Sequence, residues 1–201
     1  MTISWFGFNY FKLQNGDESL IFNPYSLDKV TKFGKAKADM VLFSDPAKIA
    51  EVKIDEGAFV VDSPGEYEVK QMFVYGRQIG GQIVYLLIFD GIRVAFLGEF
   101  QPQELSNGDL ELLEGADILI LPVGGAGFLE AKPAAKIISQ LEPRIVIPSM
   151  HAAGTAQLKT DNVSGFIKEF GVKPEEHDKF KIKKNDLPQD EVKLIILKPQ
   201  T

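Results

Sequence analysis

Short apolar runs separated by turns fill the first half of the chain, and apolar strands alternating with amphipathic helices fill the second. Ile3–Phe6 and Tyr10–Leu13 flank Gly7-Phe8-Asn9, and Asn15-Gly16-Asp17 turns the chain into Ser19–Phe22. Asn-Gly between apolar runs predicts a hairpin, because its tight turn needs positive φ at both central residues. Met40–Phe43, Phe59–Val61 and Met72–Tyr75 read as further short strands, bounded by Pro, Gly or charge. Ile83–Phe89 and Ile92–Leu97 flank Asp90-Gly91, a second hairpin signal. Their unbroken VYLLIF and VAFL segments predict central strands covered on both faces.

In the second half, Pro102–Leu113 predicts a helix with Leu105, Leu110, Leu112 and Leu113 on its apolar side and a break at Asn107-Gly108. Asp117–Leu121 reads as a buried strand, and Ala131–Leu141 as a helix with Pro133 in its first turn. A strand at Arg144–Ile147, a helix at Asp161–Phe170 closed by Gly171, and a strand at Val192–Leu197 follow. No short-period repeat, low-complexity segment or linker interrupts this order. Hairpins followed by βα alternation predict stacked sheets with helices outside, an α/β or α+β sandwich. The 201 residues suit one domain, spanning 1–201, that buries about 70% of its unfolded surface.

Composition narrows the partners. The 45% apolar and 25% charged content is that of an ordinary globular protein. A net charge of −6 argues against a nucleic-acid partner. The absence of cysteine excludes disulfides, thiolate metal sites and a thiol nucleophile. MTISWFGFNYF has neither the basic start nor the apolar core of a signal peptide, and no apolar run reaches the roughly 18 residues of a membrane span. The expectation is a cytoplasmic protein with no membrane partner.

Several segments, in order and over nearly the whole chain, carry a resemblance. They are Ile3-Ser4-Trp5-Phe6-Gly7, Phe22-Asn23-Pro24-Tyr25, Asp62-Ser63-Pro64-Gly65-Glu66-Tyr67-Glu68-Val69, Phe96-Leu97-Gly98-Glu99, Leu121-Pro122-Val123-Gly124-Gly125, and Arg144-Ile145-Val146-Ile147-Pro148-Ser149-Met150-His151. The PGEYEV and PVGG segments are the most specific. Together they resemble the metallo-β-lactamase superfamily, in its small Zn-dependent hydrolase-like, lactonase-related branch. The resemblance implies a four-layer αββα sandwich with its site at the strand ends between two sheets.

The resemblance also shows what is missing. The family's His-x-His-x-Asp-His cluster, which holds one or two metal ions, falls on Asp45, Ala47, Ile49 and Ala50. Gly-His-Ser in the first loop is Gly7-Phe8-Asn9, and Asp-Pro after the third strand is Asn23-Pro24. The insertion with a further His is reduced to Gly76-Arg77-Gln78-Ile79-Gly80-Gly81, and Leu-Gly-Asp ends in Glu99. Pro-Met-His is kept with one extra residue, as Pro148-Ser149-Met150-His151. A catalytic zinc needs at least three converging protein ligands and an open position for water.

The remaining candidates for catalysis or metal binding are Asp45, Glu99 and His151, expected to face one cleft. They read as remnants of a lost site, as a ligand-binding or proton-transfer triad without a cofactor, or as an atypical site for Zn or Mn. The favoured function is a hydrolase-like fold without activity that serves as a binding or assembly module. Its partner would be a small ligand, a protein or a second copy in a homo-oligomer; the alternative is a hydrolase using Asp45, Glu99 and His151.

Other features have plainer readings. Gly124-Gly125-Ala126-Gly127 is a close-packed turn or, less simply, an anion cradle. Glu66 and Glu68 alternate with Tyr67 and Val69 as on a half-exposed strand. Lys179–Lys184 reads as a solvated strand edge rather than a phosphate site, and His177 as part of a polar surface loop. Trp5, Phe6, Phe8, Tyr10 and Phe11 are core candidates, with Phe8 placed to line the cleft. Ser44 and Ser149 lack His and Asp at a recognisable spacing for serine hydrolysis.

Overall fold

A computed structural model describes residues 1–28, 31–101, 104–153 and 159–200. The first half supplies β1 (Thr2–Trp5), β2 (Phe11–Asn15), β3 (Glu18–Phe22), β4 (Met40–Leu42), β5 (Phe59–Val61), β6 (Gly65–Val69), β7 (Met72–Ile79), β8 (Gln82–Phe89) and β9 (Ile92–Phe96). The second half supplies β10 (Ile118–Pro122), β11 (Ile145–Ser149), β12 (Pro174–His177), β13 (Phe180–Lys181) and β14 (Lys193–Leu197). One sheet has the order β13-β1-β2-β3-β4-β5, and the other β12-β14-β11-β10-β9-β8-β7-β6. Hairpin-linked strands pair antiparallel, and strands joined by crossovers pair parallel.

The core lies between the sheets. Alternate residues of a strand share a face, so Ile3 and Trp5, Phe11 and Leu13, and Leu20 and Phe22 point inward from the first sheet. Ile83, Tyr85 and Leu87 meet them from β8, while Val84 and Leu86 turn to the opposite face, beneath the helices. This double burial explains the continuous VYLLIF run. The Phe22 and Phe96 rings stack across the gap, with centroids 4.1 Å apart. Each ends a strand, so their contact brings the following loops, at Asn23 and at Gly98-Glu99, to the same end of the sandwich.

Among the described residues, three α-helices cover the outer face of the second sheet: α1 (Asn107–Leu113), α2 (Ala131–Leu141) and α3 (Val163–Phe170). Leu113, Ile137, Ile138 and Phe166 pack there on Leu119, Leu121 and Val146. On the outer face of the first sheet, Ile21, Val41 and Phe43 are covered by Ile49 and Val52, in and after the 3₁₀ turn Pro46–Glu51, and by loop residues. That fourth layer contains no α-helix among the described residues. The mixed α/β two-sheet sandwich is as expected.

Several element boundaries differ from expectation; β7 runs four residues past Tyr75, with Gly76–Ile79 paired to β8. Pro102 and Gln103 lie outside the described residues, and α1 begins only after Ser106. Asn107-Gly108 forms its first turn rather than a break, because Ser106 caps it: Asp109 N donates to Ser106 Oγ (3.3 Å) and Ser106 N to Asp109 Oδ2 (2.9 Å). Asn162 likewise caps α3, which starts two residues later than predicted. Pro174–His177 is no loop but an edge strand, where backbone pairing with β14 tolerates polar side chains. No helix among the described residues is long and apolar enough to cross a membrane.

Candidate functional site

Asp45 sits where the chain leaves β4. Phe43 N donates to Val61 O (2.9 Å), and Tyr85 Oη donates to Phe43 O (2.7 Å), fixing the exit. Ile83 N donates to Ser44 O (2.8 Å), which ties this loop to β8 and sets Gln82 beside it. Pro46 starts the 3₁₀ turn, and Asp45 Oδ1 caps it by accepting from Ala47 N (3.0 Å). Ala47 and Ala50 are exposed, and Ile49 packs into the outer-face cluster.

Glu99 arrives from β9 through Gly98. Gly98 has φ +58°, and an added Cβ would lie 2.3 Å from Ser44 Oγ, so only glycine permits this approach. Ser44 is fully buried and held by Asn23, whose Oδ1 accepts from Ser44 N (2.7 Å) and whose Nδ2 donates to Ser44 Oγ (3.2 Å). An aspartate at 23 would keep the second bond only by accepting from the Ser44 hydroxyl. Tyr25 Oη donates to Glu99 Oε1 at 2.5 Å. Burial, with Asp45's charge adding to it, holds the Glu99 carboxyl above the usual carboxylate range, although the Tyr25 hydroxyl pulls the other way. Burial and the adjacent Glu99 push the Tyr25 phenol well above its ordinary value.

Asp45 and Glu99 line one pocket of about 140 Å³ with Gln82, Gln101, Ile79 and Phe128. His151 does not join them, which corrects the expected three-residue cleft. It lines a separate gap of about 10 Å³ with Trp5, Phe8 and Met150, its ring 4.8 Å from the Trp5 ring. Burial lowers its pKa to about 4, so it is a neutral imidazole at pH 7. Its direction follows from Met150, which takes φ +58° and donates its N–H to Phe8 O (3.3 Å). Phe8 is buried beside His151 and lines that gap rather than the Asp45–Glu99 pocket.

The donors present do not fit a catalytic zinc. Two carboxylates converge without an imidazole, and one oxygen of each is already bonded, to Ala47 N and Tyr25 Oη. Among the described residues no three His, Cys, Asp or Glu side chains gather as they would around a metal ion. The other candidates are structural. Gly124 packs so closely that an added Cβ would lie 1.9 Å from Met150 O, and Gly125 N donates to Leu129 O (3.0 Å), which favours the turn over the anion cradle. Lys184 Nζ donates to Asp117 Oδ2 (2.7 Å), and Glu66 and Glu68 are exposed on β6.

The family profile described as a beta-lactamase superfamily domain matches residues 2–151. The chain belongs to the metallo-β-lactamase superfamily. Among superfamily relatives, a protein of Thermococcus onnurineus named a metal-dependent hydrolase is 30% identical over 158 residues, covering 77% of this chain and 56% of that protein. One from Pyrococcus furiosus, similarly named, gives the same identity and coverage. The chain thus spans about half the length of the relatives it matches. A Thermotoga maritima structure described as a candidate Zn-dependent hydrolase of the superfamily superposes with a TM-score of 0.82 at 24% identity, over 98% of this chain and 99% of that one. A candidate metal-dependent hydrolase of Parabacteroides distasonis gives 0.62 at 18%, over 98% and 93%. These likenesses show a shared fold.

Sequence reasoning reached Asp45 and Glu99 but missed Tyr25 and Gln82. Tyr25 closes a motif already singled out, Phe22-Asn23-Pro24-Tyr25. Gln82 had one signal, a polar residue opening an otherwise apolar central strand.

Proposed function

We propose that this superfamily domain does not hydrolyse by metal catalysis and that it acts as a binding module through the remodelled strand-end pocket. The observation that carries this reading is the structural employment of the ligand-loop positions. Asp45 caps a turn, Ile49 is packed into the outer-face cluster, and His151 lies against Trp5 and lines a different gap from Glu99. A fold without its site does not carry the activity. The working setting is a cytoplasmic domain, either binding a small ligand or assembling with a protein or with copies of itself.

The test is elemental analysis of protein expressed with added Zn, Mn and Fe and purified without chelator or histidine tag, paired with thermal melts. The expected result is metal well below one equivalent and no rise in Tm on adding Zn or Mn, since only an ion that binds the native state stabilises it. Near-stoichiometric metal, with a rise of several degrees that disappears in Glu99→Ala, would overturn the reading. A metal-dependent hydrolase is the second reading, favoured by the names of the relatives and by the pairing of Asp45 with Glu99. Turnover of lactones or phosphoesters by the metal-loaded protein would then establish it.

A further inference from the structure

The pocket presents hydrogen-bond acceptors that the described residues leave free. Asp45 Oδ1 and Glu99 Oε1 are taken, while the second oxygen of each carboxylate accepts no hydrogen bond among the described residues. The third acceptor is Gln82 Oε1. Gln82 is only 7% exposed and lines the same pocket, and this oxygen has no partner among the described residues. It lies near Gly98, where an added Cβ would be 3.1 Å away. A buried acceptor left unpaired is destabilising, and retaining one beside two carboxylates offers it to a donor from outside. The wall beside these oxygens is apolar, formed by Ile79 and Phe128.

We infer that this pocket binds a primary alkylammonium ion, its head on Asp45, Glu99 and Gln82 and its stem along Ile79 and Phe128. An ammonium group carries three donors and no acceptor, matching three free oxygens, and its bonds to carboxylates are charge-assisted. The Phe128 ring offers further attraction to a cation close to its face. A quaternary ammonium lacks N–H groups and would leave Gln82 Oε1 unpaired. The chain's own nearby ammonium, Lys48 Nζ, is held by Glu51 at 2.9 Å. The volume of about 140 Å³ suits a short chain of a few carbons.

This inference rests on the binding-module reading and names its ligand class. The probe is n-propylammonium, titrated into the full chain in the presence of chelator and followed by amide NMR, with tetramethylammonium at equal ionic strength as control. Expected are saturable shifts at the Gln82 side-chain amide and at the Gly81, Gly98 and Glu99 backbone amides, from propylammonium only. Asp45→Asn keeps the cap, since asparagine also caps, but loses a charge; it should weaken binding about tenfold, as should Glu99→Gln. Gln82→Met should weaken it while leaving the control unchanged. Equal shifts from both ions, no saturation, or unchanged affinity in Asp45→Asn and Gln82→Met would overturn the inference. Because the titration excludes metal, its failure leaves the non-hydrolytic reading standing. Metal-dependent turnover would sink that reading while leaving the titration's own result intact.

Discussion

Gly98→Ala tests the contact that places Glu99 in the pocket. The new Cβ would lie 2.3 Å from Ser44 Oγ and 2.8 Å from Ser44 Cβ, with φ at +58°. Ser44 cannot retreat easily, because its N–H, carbonyl and hydroxyl oxygen are bonded to Asn23, Ile83 and Asn23 again. A left-handed alanine costs about 1–2 kcal/mol, and overpacking a close-packed interior about 1–3 kcal/mol. Displacing Ser44 Oγ also leaves the buried Asn23 Nδ2 unpaired, at about 1–3 kcal/mol. One displacement relieves part of the clash by breaking the bond, so these overlap, and the expected loss is about 3–5 kcal/mol. For a chain of this size that is roughly 6–20 °C in Tm. Urea unfolding followed by the fluorescence of Trp5, the single tryptophan and fully buried, measures it directly. Adding Ser44→Gly should recover the overpacking share but neither the left-handed cost nor the lost Asn23 Nδ2 bond. A loss below 1 kcal/mol, or a double variant no more stable than the single, would refute the argument.

Two further predictions concern charge. Because the His151 pKa falls from its ordinary 6.5 to about 4 on folding, its contribution is fully present above pH 6.5 and is lost as pH falls toward 4. Wild type should therefore lose about 2–3 kcal/mol more than His151→Phe between pH 7 and pH 4.5, and an imidazole that titrates near 6.5 by NMR would contradict this. Tyr25→Phe removes a hydrogen bond to a carboxyl whose pKa is already raised, and pushes it higher. Such a group's contribution is present below its unfolded pKa and lost as pH rises through the folded one, so the variant should lose about 1.5–3 kcal/mol at pH 7 and less at pH 4; equal losses would count against the pairing.

The sheets were legible because burial on one or two faces writes directly into apolar spacing. Ala131–Leu141 and Phe59–Val61 fall as predicted, and β8 shows both its faces in VYLLIF. Strand β12 was not legible, since an edge strand is held by backbone bonds that leave Pro-Glu-Glu-His unconstrained, whereas Lys179–Lys184, read as a solvated strand edge, contains the edge strand β13. The start of α1 was misread because Asn107-Gly108 outweighed the Ser106–Asp109 cap just before it. At the site, the resemblance pointed to Asp45 and Glu99. His151 was misplaced because its direction depends on the backbone turn at Met150 and the approach of Phe8, contacts 142 positions apart in the chain (150 − 8). Tyr25 and Gln82 act only through tertiary neighbours, and a sequence without its fold does not show which carboxyl a tyrosine will meet.

The substitutions at this strand end form one coupled arrangement rather than separate losses. Asn23 both donates to and accepts from Ser44, which holds Ser44 beneath Gly98 and so sets Glu99 beside Asp45. Asp45 spends one oxygen on the turn that carries Ile49 into the outer-face cluster, and Glu99 spends one on Tyr25. Phe8 and Trp5 enclose His151 as a neutral ring. Returning a single family ligand to this frame adds a polar group where packing or capping now operates. Aspartate at Ile49 removes apolar contacts, and histidine at Phe8 replaces a ring that lines a gap of only about 10 Å³. Both changes should lower stability before any ion is added, because a buried polar group without a partner is unfavourable. An unchanged Tm in Phe8→His and Ile49→Asp would mean that the strand end is still open to the residues the superfamily places there, and that the acceptor-rich pocket is an incomplete metal site rather than a rebuilt one.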